Sequence, residues 1–266
     1  MSPPLQAAWV LALGSILAAL LSAPLLIPRM LQITHFSVID PWSPAWLRSP
    51  WLYIGAVTGP PLLALVACAA PSRARLRVWA AASAVAGAVL LIHPASFGWA
   101  GSVLLFWSGV WAVYLATVQQ GHARGPGLCL VLLGGLFALP ALGKVTPGYL
   151  DGSVFYELHG AHGRGVYGLL ASGLGMDPRA LARLFGPLSI AGELAVATAW
   201  LWPGRWGFGL AAAVACGILT VGGWSFIDAM APLLALTASG WVLARQLDRA
   251  DASVDRASVD SREGRD

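Results

Sequence analysis

This sequence has little charge. Asp, Glu, Lys and Arg make up 11% of its 266 residues against 58% hydrophobic residues, and the mean hydropathy is +0.71. A water-soluble domain carries about a quarter charged residues, so the composition excludes a soluble globule and predicts a polytopic membrane protein. The net charge of +4 is not gathered into a basic patch. The arginines fall in short links between apolar runs, where topology determinants sit, so nucleic acid is not an expected partner. Cysteine is scarce: Cys68, Cys129 and Cys216 each stand alone in an apolar run. With no CxxC pair, thiol–disulfide and zinc chemistry have no support, and the three read as small apolar packing residues. There is no GxxxxGK[ST] order and hence no phosphate loop. The first apolar run lacks a basic leader and is long for a signal peptide, so it is expected to remain as a helix. Lysine is nearly absent, with Lys144 the single example.

What remains is apolar runs, and a spanning helix needs roughly 20 such residues. Eight candidates occur at 6–27, 51–70, 78–93, 100–120, 127–143, 187–203, 207–223 and 227–244. The predicted fold is therefore all-α, a transmembrane helical bundle of about eight spans. Pro24, Pro60, Pro61 and Pro140 lie inside runs and predict kinks. Small residues crowd 80–88 and 207–217, which suits close helix packing in lipid.

The links suggest an orientation. Arg73, Arg75, Arg77, Arg124, Arg205, Arg245 and Arg249 fall on one side of an eight-span arrangement. The positive-inside rule makes that side cytoplasmic, together with both termini, in a multi-pass protein of the cell membrane. The links 28–50 and 144–186 then lie outside, although 144–186 carries four basic residues, Lys144, Arg164, Arg179 and Arg183. Trp42, Trp46, Trp51 and Trp99 would flank the outer interface, and Trp200, Trp202 and Trp206 the inner one.

Two halves share one plan: helix, long outer link, helix, basic turn, helix, short turn, helix. Pro71-Ser72-Arg73 is echoed by Pro203-Gly204-Arg205, and Ser96-Phe97 by Ser225-Phe226. This predicts two parallel repeats. The first four-helix unit is 1–123 and the second is 124–244, followed by a tail, 245–266. The tail alternates acids with arginines and is expected to be disordered.

The charges that accompany apolar runs lie in the second unit. In Leu139–Glu157, LPALGKVTPGYLDGSVFYE, an apolar helix ends at Lys144 and a Pro-Gly-Tyr turn follows. Glu193 stands about seven residues into the next run, roughly 10 Å along it. Ionisable groups in membrane helices are costly and face the protein interior. Lys144 can be a snorkelling anchor or a base activated by burial. Glu193 can be its structural partner or a proton carrier. These two are the candidate catalytic residues, facing one cavity open to the outer leaflet. Asp228 opens the last run, where an acid also favours the helix dipole. Tyr149, Tyr156 and Asp228 are the candidate binding residues. His159 and His162 are spaced HxxH, but HGAHGRG is too rich in glycine for a helix and offers no third ligand, so no metal site is predicted. Asp177-Pro178 marks a helix start. ALARLFG after it reads as a short surface helix that, with Tyr149 and Tyr156, covers a cavity above Lys144.

The segment Gly143-Lys144-Val145-Thr146-Pro147-Gly148-Tyr149-Leu150, the outer link after it and the Gly192-Glu193-Leu194 helix together resemble the DoxX-like and HTTM-like membrane proteins. The latter include the membrane part of vitamin K-dependent carboxylases. The likeness covers mainly 127–244, and Val145 stands where those families usually have Leu. It implies an all-helical bundle and brings in quinone-linked redox subunits as relatives, without fixing a reaction. No soluble carboxylase domain is recognisable, which argues against that activity.

Two function classes stay open. One is a redox-linked or lipid-modifying component that binds a quinone or another apolar molecule in the second unit. The other is a non-catalytic accessory protein for assembly, export or immunity. The expected partners are membrane lipid and a membrane protein. A transporter ranks third, because no line of polar residues crosses the helices.

Overall fold

A computed structural model describes residues 2–35, 44–93, 100–118, 127–159, 165–202, 204–222 and 227–263. Every regular element in them is a helix. The eight apolar runs become α1 (Pro3–His35), α2 (Pro50–Ala69), α3 (Arg73–Ile92), α4 (Ala100–Thr117), α5 (Gly127–Gly143), α9 (Pro178–Leu201), α10 (Arg205–Gly222) and α11 (Ile227–Glu263). Between α5 and α9 lie three short helices, α6 (Pro147–Leu150), α7 (Ser153–His159) and α8 (Gly165–Gly173). Five helices, α1, α2, α3, α9 and α11, are long and apolar enough to cross a bilayer. The other three apolar helices, α4, α5 and α10, have 17 or 18 residues each. Among the described residues the chain has the helices of a multi-pass membrane protein, five of them of full spanning length.

Local chemistry sets several boundaries. Ser72 Oγ accepts from the Arg75 N–H at 3.3 Å and caps α3. Asp177 accepts from the Arg179 N–H at 3.1 Å with Pro178 at the first helical position, so the predicted start is there. The helix it starts differs from expectation: ALARLFG is the first part of α9, and Pro187 lies inside the same helix. Pro24, Pro60, Pro61 and Pro140 are likewise inside helices. α11 also differs, continuing past Arg245 to Glu263 where disorder was expected. The predicted echo of Ser96-Phe97 with Ser225-Phe226 lies outside the described residues, as does Arg124.

Successive long helices are neighbours in both halves, α1–α2–α3–α4 and α5–α9–α10–α11. α11 also packs on α1 and α4, which makes it the centre of the bundle. Its apolar span is 72% buried, whereas the other four spans are 28–33% buried and leave the rest of their apolar surface for lipid. Small residues make the closest approaches. A Cβ on Gly87 would strike the Phe106 backbone and one on Gly109 the Ala84 backbone, so α3 and α4 touch main chain to main chain. Gly14 similarly admits Ala235 of α11 to α1. Of the second glycine-rich stretch, Gly207 packs near Ala199, while Gly209 and Gly217 face open space.

Polar and aromatic contacts fasten the ends and the centre. Arg77 Nε donates to the Ala116 carbonyl at 3.1 Å, joining the start of α3 to the end of α4. Trp111 Nε1 donates to Ser239 Oγ at 2.9 Å, tying α4 to α11. The Trp111, Trp200 and Phe208 rings meet edge to face at 5.2 and 5.0 Å, linking α4, α9 and α10.

Candidate functional site

The site forms because α5 and α9 pack antiparallel. Gly134 lies against Leu201 near one end of the pair. At the other end, α5 stops at Gly143 and the next residue, Lys144, reaches Glu193 of α9. The turn that carries Lys144 is closed by its own N–H, which donates to the Pro140 and Ala141 carbonyls at 3.1 Å. Proline at 147 then starts α6 with Tyr149 on it. That short helix is held down on α9: Gly186 abuts the Tyr149 carbonyl, and Gly152 abuts the Ala182–Arg183 peptide. Gly152 has φ +79°, in the left-handed region where glycine is at ease, so it supplies both the turn and the close approach.

Lys144 Nζ and Glu193 Oε1 form a direct ion pair. Their side chains are 27% and 23% exposed, so the pair is shielded but not sealed. Nζ also lies 5.8 Å from the centre of the Tyr149 ring, within reach of a cation–π attraction. The second carboxylate oxygen of Glu193, Oε2, is buried and has no hydrogen-bond partner among the described residues. A buried anionic oxygen without a donor is costly, and a ligand hydroxyl or amide placed there would relieve that cost.

The other candidates are placed apart from this pair. Tyr156 packs beside the cluster of Phe155, Tyr167, Leu181 and Ala182, and its ring lies 5.6 Å from the Arg179 guanidinium. Within that cluster the Tyr167 hydroxyl donates to the Pro178 carbonyl. Burial, with Tyr156 and Asp177 adding, holds the Tyr167 phenol above its ordinary pKa. Asp228 does occupy the first turn of α11, as the dipole reading has it. It lines a cavity with residues of the first four helices, away from Lys144 and Glu193. His159 ends α7, its side chain is outside the described set, and His162 is outside it altogether.

That cavity is what the sequence reading missed. Its volume is about 70 Å³, and it runs along α1 from Leu11 to Leu26, with α2, α3, α4 and α11 completing the wall. The sequence signal was faint: Ser15, Ala18, Ala19 and Ser22 form a small-residue stripe on one face of a leucine-rich helix.

No family model, curated protein or solved structure matches this chain.

Proposed function

We propose that the protein is an integral component of the cell membrane that binds a quinone or a similar lipid-soluble molecule in its second four-helix unit, as part of a redox-linked or lipid-modifying process. The observation that supports this reading is the Lys144–Glu193 pair with Glu193 Oε2 buried and unpartnered. One carboxylate oxygen holds the ammonium, and the other is left to accept a hydrogen bond. A quinol hydroxyl fits that acceptor, and the lysine ammonium can donate to a quinone carbonyl. When an external redox partner supplies or takes the two electrons, the pair can pass one of the two protons that accompany them. Tyr149 supplies an aromatic wall beside the ammonium. The resemblance of 127–244 to DoxX-like and HTTM-like proteins, and the parallel-repeat plan with its charges in the second copy, favour the same unit.

Titration of the purified full-length protein in nanodiscs with a short-chain ubiquinone tests this. Wild type should bind saturably. Glu193→Gln should bind far more weakly at a temperature where a melting curve shows it folded. Equal binding by both would overturn the assignment. A second reading, a non-catalytic accessory protein, is favoured by the fact that the ion pair closes on itself. On that reading wild type binds no quinone, and Glu193→Gln changes stability alone.

A further inference from the structure

The first four-helix unit has a feature that the Lys144 site leaves unused. The cavity along α1 extends over sixteen residues, from Leu11 to Leu26, or roughly 22 Å at the helical rise. A volume of about 70 Å³ drawn out over that length makes a narrow tube, not a chamber. Its walls are apolar in effect. Ser15 and Ser83 turn their hydroxyls onto the Ala12 and Trp79 carbonyls, both at 2.8 Å, and so offer the cavity no free donor.

Two wall residues differ. Trp79 is 2% exposed, and its indole N–H is buried with no partner among the described residues. The Ser108 hydroxyl, on the facing helix α4, is likewise buried and unpartnered. Both residues line the cavity. Asp228, in the first turn of α11, also lines it. The arrangement is a slender apolar tube with two orphan donors and one acid in its wall.

We propose that this tube is a second ligand site, for a single-chain lipid that carries a hydrogen-bond-accepting oxygen. The hydrocarbon chain fills the length of the tube, and the oxygen accepts from the Trp79 N–H, with the Ser108 hydroxyl a further donor in the wall. Water is the poorer occupant, because it needs two to four polar partners and most of this wall offers none. A branched or ring-bearing lipid is too wide.

The test uses the full-length protein in phosphatidylcholine nanodiscs with a palmitic acid bearing a mid-chain photoactivatable diazirine. Adducts located by peptide mass spectrometry should fall on the cavity faces of α1, α3 and α4. Ser83→Leu and Ser15→Leu fill the tube from two different helices. Each variant that retains a wild-type melting curve should lose these adducts and keep ordinary labelling of lipid-facing residues such as Leu17 and Leu20. Unlabelled hexadecanol should compete better than hexadecane, and Trp79→Phe should reduce that preference about fivefold, the worth of one hydrogen bond. Adducts confined to lipid-facing residues, or labelling unchanged in a folded tube-filling variant, would overturn the proposal. Equal competition by the alcohol and the alkane would overturn the role of the two donors.

Discussion

Lys144 and Glu193 are each expensive against lipid, and each is tolerable beside the other. Removing one partner strands the other in a partly buried place. Glu193→Gln and Lys144→Met should therefore each lower unfolding stability, by about 2 kcal/mol given the partial exposure. The double variant should recover much of that loss. Denaturation in mild detergent reads all three, and additive losses would show that the pair does not couple. His93 gives a pH prediction. It follows the last residue of α3, is fully buried, and packs on the Tyr53 ring at 5.3 Å, with Nε2 3.3 Å from the Ser49 carbonyl. Burial outweighs that carbonyl and holds the imidazole below its ordinary pKa. The unfolded chain thus binds the proton more readily. Its contribution is fully present above the ordinary histidine value, about 6.5, and is lost as pH falls through the lower folded value. His93→Phe should flatten that acid-side loss in a pH series of melting temperatures. The sequence made Lys144 and Glu193 visible because a charge in an apolar run is a strong signal. It could not separate Asp228 from them, because its place depends on α11 turning toward α1 and α4.

The apolar runs identified every long helix, since only a helix satisfies its own backbone in lipid. Ends were harder to read. The apolar run 187–203 marked only the later part of α9. Asp177 had already capped the helix ten residues earlier, and Gly186 presses against the Tyr149 carbonyl. α11 outruns its apolar span through residues 246–263, which contain neither glycine nor proline to break the helix. Packing glycines stood out as a composition, but which of them touch another backbone did not. Gly87 and Gly109 do, and Gly209 does not. Gly87→Ala should push α3 from α4 and cost about 1–3 kcal/mol, while Gly209→Ala should be neutral or slightly stabilising. Parallel denaturation curves of the two variants check this contrast, and equal losses would contradict it.

Across the whole molecule, α11 acts as the central post, with the first four helices on one side and α10, then α9 and α5, on the other. The proposed orientation, with both termini cytoplasmic, predicts that Ser72→Cys resists an impermeant thiol reagent added outside intact cells and that Ser153→Cys reacts. Both positions are exposed on the protein surface. The reverse pattern would invert the topology and place the Lys144 site on the inner face. The ligand's approach to Glu193 is tested most directly by infrared difference spectroscopy, with ¹³C-labelled glutamate, as quinone is reduced to quinol in the reconstituted protein. A shifted carboxylate band that is present in wild type and missing in Glu193→Gln is the predicted result. Bound quinone that cycles between its two states with no Glu193 band would contradict it.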